Sequence, residues 1–316
     1  MSSSRPRGPA ARRTANIKPR LSDAERAAYE ADSNAQFALR RRRKIGTPRL
    51  RASSLAAPSD QILVVAEGDS WFDYKPAYIG GGKDLLGHLQ TSGKINVYRV
   101  SKAGDTIENM VYGTTYGKGF TPKPSQIDHT LAKIQDLQPA AFLFSGGGND
   151  LAGKELEGYL NHASTGRSPL RGDTLDFVFD TYIRESLLHL IDRVRQVKPG
   201  LPVFLHGYDY AIADGRDVNF FGFSFSGPWL RPALTRKRYL TATARAGIIR
   251  ELIDRLNTML AGVASSLPDV HHLDLRGTLK NGTGYRRHWA NELHPTSSGF
   301  RKIAAKFETA LEDHVG

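Results

Sequence analysis

The 316-residue chain contains no cysteine, so disulfides, thiolate metal sites and a cysteine nucleophile are all excluded. No apolar run reaches the length needed to span a bilayer. No acidic residue precedes Asp23, and no apolar segment follows Arg12-Arg13, so neither a secretory nor a twin-arginine signal is recognised. A cytoplasmic location is expected, with export by a route that needs no signal peptide left open. There is no internal repeat. No Gly-Lys-Ser/Thr follows the run Gly146-Gly147-Gly148, which argues against a phosphate-cradling loop. The ten histidines show no metal-ligand spacing; His271-His272 are expected to be structural, and His88, His129 and His189, in helical patterns, to pack or face solvent.

What is present is a 40% hydrophobic, 24% charged chain, enough for one sizeable core. The net charge of +12 is unevenly placed. Residues 1–51 hold 14 Lys/Arg against 4 Asp/Glu, so ten of the twelve charges belong to the first sixth of the chain. Residues 1–59 are expected to be a basic tail and linker, largely disordered or partly helical from Leu21 onward. Its run Arg40-Arg41-Arg42-Arg43-Lys44 reads as a solvated face, the functional alternative being weak contact with nucleic acid or an anionic surface. Residues 60–316 form the expected folded domain.

Apolar runs predict strands over 61–66, 95–100, 140–145, 202–205 and 270–275. Helical patterns fall between them: a short one at 84–89, then 125–137, 173–197, 238–267 and 296–312. Gly80-Gly81-Gly82 reads as a flexible loop. Strands alternating with helices predict a parallel, doubly wound sheet, whose ligands bind beyond the carboxyl ends of the strands. The turns carrying Ser70, Gly104 and Asn149 each follow a predicted strand, and His294 follows the last one. Ser70 is either a helix cap or a nucleophile. With His294 as base, and with the Ser70 N–H, the Gly104 N–H and the Asn149 amide as donors to a developing oxyanion, the set is sufficient for acyl transfer. Glycine suits position 104 because a side chain there would crowd the substrate.

Gly68-Asp69-Ser70, Gly104-Asp105-Thr106, Gly146-Gly147-Gly148-Asn149-Asp150 and Leu293-His294-Pro295 together resemble, in order, the four blocks of the SGNH (GDSL-type) hydrolase superfamily. The resemblance covers about residues 61–312. It implies a three-layer α/β/α sandwich with a flavodoxin-like five-stranded parallel sheet. It also implies ester hydrolysis through an acyl-serine, with no metal and no organic cofactor. One position departs from the pattern. The family usually places Asp three residues before the histidine, and here that residue is Asn291. Either Asn291, a backbone carbonyl, or a carboxylate from Glu292 or Asp209 orients His294. Glu292 otherwise reads as a solvated surface carboxylate. Asp69 is expected to accept hydrogen bonds behind its turn, and Asp150 to fix the turn of Asn149.

The segment 207–238 is rich in aromatics and follows the fourth strand. It reads as a lid or acyl-binding wall, or else as a long loop packed by its own rings. Trp71, Tyr208, Phe221 and Trp229 are the candidate substrate contacts. A second insertion, 152–171, has no assigned role. The function expected is a serine hydrolase of carboxylic esters, with a small-molecule, lipid or carbohydrate ester as substrate. The alternatives are a carbohydrate O-deacetylase or a weakly active or non-catalytic binding module with a basic tail.

Overall fold

Val64, Val65 and Ala66 are wholly buried because their strand has a neighbour on each edge and helices over its faces. In the computed structural model, which describes residues 61–114, 125–220 and 223–316, strand β1 (Ile62–Gly68) lies between β2 (Ile95–Arg99) and β3 (Ala141–Ser145). β4 (Val203–His206) follows β3 across the sheet. β5 (Val218–Phe220) and β6 (Phe223–Ser226) form a separate antiparallel ribbon. β7 (Val270–Leu273) closes the main sheet, whose order is β2-β1-β3-β4-β7 with every pairing parallel. The order reverses direction at β1, so the ends of β1 and β3 are the topological switch point where ligands bind in such sheets.

Two groups of helices cover the sheet. α1 (Leu85–Thr91) packs against the carboxyl-terminal helix of the chain. α2 (Ile107–Tyr112), α3 (Gln126–Leu137), the short α4 (Glu155–Tyr159), α5 (Gly172–Asp176), α6 (Arg184–Val197), α7 (Arg231–Arg236) and α8 (Ala242–Ser266) fill the crossovers, and α9 (Ser297–Val315) ends the chain. α2, α3 and α6 pack together, and α6 packs on α8. The α/β/α arrangement agrees with the sequence expectation. Among the described residues no helix is long and apolar enough to cross a membrane. The basic tail, residues 1–59, lies outside the described residues.

The boundaries differ from expectation where backbone geometry overrides pattern. The helix expected from 238 begins only at Ala242, because Arg238 sits in the left-handed region (φ 69°) and cannot start a helix. Thr241 Oγ1 caps α8 by accepting from the Ala244 N–H at 3.1 Å. The helix expected over 173–197 is interrupted by a π-helical stretch, Phe177–Ile183. The triglycine at 80–82 is not a plain loop, since Lys75–Gly81 is a 3-10 helix. The 152–171 insertion folds as α4 and a 3-10 turn, Ala163–Thr165, closed by a bridge between Leu160 and Leu170.

Glu67, on β1, is an unusual charge to place in a central strand. It is fully buried and accepts from Thr130 Oγ1 at 2.6 Å and Gln126 Nε2 at 2.7 Å. Burial pushes its pKa up to about 7 against those hydrogen bonds, and the charge of Asp105 adds to the rise. A carboxyl raised in the folded state stabilises the fold at pH below its unfolded value and loses that contribution as pH rises through 7. The chain is therefore expected to lose on the order of 3 kcal/mol of stability from this group between pH 4.5 and 8. Glu67→Gln should flatten that part of the Tm-against-pH curve. Parallel curves for the two proteins from pH 5 to 8 would rule out Glu67 as the source.

Candidate active site

Ser70 is presented by a tight turn and not by a helix. The N–H groups of Phe72 and Asp73 both donate to the Asp69 carbonyl, at 3.1 Å each, and among the described residues no α-helix starts before Leu85. Helix capping is thus not the role of this serine. Gly68 ends β1 opposite Ser145. A Cβ there would stand 2.6 Å from the Cβ of Ser145, so close packing of β1 on β3 demands glycine. The turn is held from behind by the buried Asp69. Its carboxylate accepts from the Trp71 N–H (2.9 Å), from Ser145 Oγ (2.8 Å) and from the Tyr208 hydroxyl. Burial pushes the Asp69 pKa up, and these three donors oppose the rise.

The turn after β7 brings His294 to the serine. His294 Nε2 lies 2.8 Å from Ser70 Oγ, and His294 Nδ1 lies 3.0 Å from Asn291 Oδ1. The orientation of the Asn291 amide is set by its surroundings. Oδ1 also accepts from the backbone N–H groups of Leu293 (3.0 Å) and His294 (2.9 Å), while Nδ2 donates to the Tyr74 hydroxyl at 2.9 Å. An amide oxygen only accepts, so Nδ1 carries the ring proton and Nε2 is free to accept from the serine hydroxyl. The Tyr74 ring lies over the imidazole with 4.2 Å between centroids and 10° between planes, and Trp229 meets the imidazole edge-on at 5.3 Å. His294 is buried with no carboxylate against it, and burial drives its pKa down to about 3.

The two carboxylates considered for orienting His294 accept from other groups. Glu292 is not a surface carboxylate. It is fully buried, and it accepts from four backbone N–H groups: Gly215 (2.8 Å), Trp229 (2.6 Å), Leu230 (2.7 Å) and Arg231 (3.0 Å). Asp209 accepts from the N–H groups of Tyr210, Gly277 and Leu279 at 2.6–2.8 Å. Both are occupied elsewhere.

The turns after β2 and β3 meet beside the serine. Asn149 Nδ2 donates one hydrogen to the Asp105 carbonyl at 2.8 Å, which ties Asn149 to the turn of Gly104 and leaves its second amide hydrogen for another acceptor. Gly104 has φ +84°, the left-handed region that favours glycine, while the space where its Cβ would stand holds no protein atom within 4 Å. Conformation accounts for the glycine, and protein crowding does not. Asp150 accepts from the Ile107 N–H (3.1 Å) and the Tyr182 hydroxyl (2.9 Å), and burial raises its pKa to about 6.

Beside Ser70 and Asn149 opens an apolar cavity of about 60 Å³. Trp71 and Tyr208 line it, although both are buried and spend their polar atoms inside the protein, Trp71 Nε1 donating to the Leu293 carbonyl at 3.0 Å. Trp229 touches His294 and is not part of the cavity wall. Phe221 lies outside the described residues. The 207–238 segment is thus a pinned wall over its described part, held by Glu292. Two residues have roles here that sequence reasoning did not give them: Tyr74, which was not singled out, and Glu292, which was read as a partner of His294 or a surface carboxylate. Tyr74 falls one turn past Ser70, which hints at a shared face, whereas nothing local marks Glu292 as buried. Among the described residues no group of three His, Asp or Glu side chains is placed to hold a metal ion.

Comparison with curated protein sequences returns no match. Among solved structures the chain is similar to a family 3 carbohydrate esterase of Clostridium thermocellum, with 15% identity, a TM-score of 0.44, and coverage of 81% of this chain and 100% of that one. It is similar to the lipase/acylhydrolase from Enterococcus faecalis (16% identity, TM-score 0.41, 80% and 97% covered). It is also similar to the extracellular lipase from Streptomyces rimosus (14%, 0.40, 78% and 99%). The family model described as GDSL-like Lipase/Acylhydrolase matches residues 67–302, a span that runs from β1 into α9 and contains the turns of Ser70, Gly104, Asn149 and His294. That span is well over half of the chain, so the protein belongs to the GDSL-like lipase/acylhydrolase family of hydrolases.

Proposed function

We propose that the chain is a serine esterase in which Ser70 is the nucleophile, His294 the general base and Asn291 the residue that orients His294. The observation that carries this is the unbroken relay from Ser70 Oγ through both ring nitrogens of His294 to Asn291 Oδ1. Ser70 Oγ attacks the ester carbonyl carbon while its proton passes to His294 Nε2. The carbonyl oxygen becomes an oxyanion, held by the N–H groups of Ser70 and Gly104 and by the second hydrogen of Asn149 Nδ2. The C–O bond to the alcohol then breaks, and the alcohol leaves with the proton from Nε2. Water, deprotonated by the same nitrogen, attacks the acyl carbon, the bond from that carbon to Ser70 Oγ breaks, Nε2 returns the proton to Oγ, and the acid leaves.

An imidazolium forms in both halves of this cycle, and the third residue has no charge to stabilise it. The Tyr74 ring face, 4.2 Å away and parallel, supplies a cation–π contact in its place. A fluorophosphonate probe tests the assignment, because it reacts covalently with an activated serine. The expected result is one adduct per chain on the peptide that contains Ser70, absent in Ser70→Ala. A folded wild type that takes no label would place the chain with the non-catalytic binding modules.

A further inference from the structure

The cavity beside Ser70 extends toward α8 between Leu151, Ala152, Leu230, Ile249, Leu252 and Ile253, none of them more than 9% exposed. We infer that this cavity receives the acyl group, and that the substrates are esters of short, linear acyl chains of about two to four carbons. The inference rests on the serine esterase proposal and names its substrate class.

Size comes first. At about 60 Å³ the cavity is well below the roughly 150 Å³ of a protein cavity that takes up benzene, so only a few carbons fit. Polarity comes second. The two carboxylates in the wall, Asp69 and Asp209, already accept from three donors each, so the cavity offers little to a hydroxylated alcohol and would desolvate it at a cost. Position comes third. The acyl group stays on Ser70 while the alcohol leaves and water reaches His294, so an apolar recess suits the group that stays. Rigidity is the fourth point. Leu230 is fixed through its own N–H to Glu292, and Ile249, Leu252 and Ile253 sit on the 25-residue α8. A longer chain could not enter by swinging a loop aside.

The test is hydrolysis of p-nitrophenyl acetate, butyrate and octanoate by wild type, Ser70→Ala, Leu252→Ala and Ala152→Leu. Wild type should prefer butyrate over octanoate by about tenfold or more in kcat/KM. Leu252→Ala, which lengthens the recess, should raise the octanoate-to-butyrate ratio about tenfold, and Ala152→Leu should lower butyrate relative to acetate. Ser70-dependent hydrolysis with octanoate equal to or above butyrate would overturn the inference and leave the esterase proposal standing. Unchanged ratios in both variants, each still folded by its Tm, would do the same. Hydrolysis that does not depend on Ser70, or none at all, would remove both. If either variant fails to fold, the wild-type profile decides alone.

Discussion

His294→Ala is expected to lower kcat/KM for any accepted ester by about four orders of magnitude, with little change in Tm. The imidazole is the only group within hydrogen-bond distance of Ser70 Oγ among the described contacts, and without it the hydroxyl has no acceptor for its proton. Ser70→Ala should cost about as much, and the double variant hardly more, because the two act as a unit. A variant that lost each factor independently would show that they do not. Asn291 gives the more specific test. Burial holds the His294 pKa near 3, so the base is already neutral throughout the working range, and kcat/KM should stay flat on the acid side down to about pH 5. Asn291→Asp keeps the shape, and its second oxygen can accept from the Tyr74 hydroxyl where Nδ2 now donates. A carboxylate beside Nδ1 favours the charged ring, so the acid limb should move up by at least about one pH unit. An unchanged limb would mean that Asn291 does not govern the base. The same burial makes the fold sensitive to acid. His294 and His206, the latter pushed down to about 4, stay neutral when folded and protonate near 6.5 when unfolded, so their contribution to stability falls as pH drops below 6.5.

Glu292→Ala should be the most damaging single truncation to the fold outside the apolar core, at about 3–5 kcal/mol, which is a fall in Tm of about 10 °C or more. Four backbone N–H groups from residues 215 and 229–231 converge on this one carboxylate. Removing it leaves those donors, one in a buried and three in part-buried hydrogen bonds, unpaired, at about 1–3 kcal/mol for each that water does not reach. Glu292→Gln should fall between, since its amide keeps one acceptor oxygen and points an NH₂ into a ring of donors. Its kinetics separate structure from chemistry. With Glu292 as a structural acceptor, the Gln variant should keep kcat/KM within about tenfold and keep its pH profile at temperatures where it is folded. A loss of three or more orders of magnitude with a shifted acid limb would instead make Glu292 the acid behind His294. A Tm within 2 °C of wild type for the Ala variant would show that solvent reaches the four donors.

How far these residues were readable depends on how local their signals are. The strands were plain, because runs such as Ile62–Ala66 and Ala141–Phe144 are continuous apolar stretches that suit a strand covered on both faces. The parallel sheet follows from the alternation of such strands with amphipathic helices, and the four turns that carry Ser70, Gly104, Asn149 and His294 are visible as short polar blocks at strand ends, while the strand order is read from the structure. Helix limits were less legible where one backbone angle decides them, as at Arg238, or where a helix changes its winding, as at Phe177–Ile183.

By itself, then, the sequence determined the fold class, the family and which turns share one edge of the sheet, because these rest on periodicity and on residues close together in the chain. Tertiary structure alone decided that Tyr74 covers His294, that Asn291 and not Glu292 faces its ring, and that Glu292 is a buried clamp. It also decided that the recess beside Ser70 is narrow. Asn291 and His294 are only three positions apart, but the other contacts join residues 61 to 224 positions apart. A surface charge and a buried acceptor have the same one-letter code, and only the N–H groups that fold around Glu292 make it the second of these.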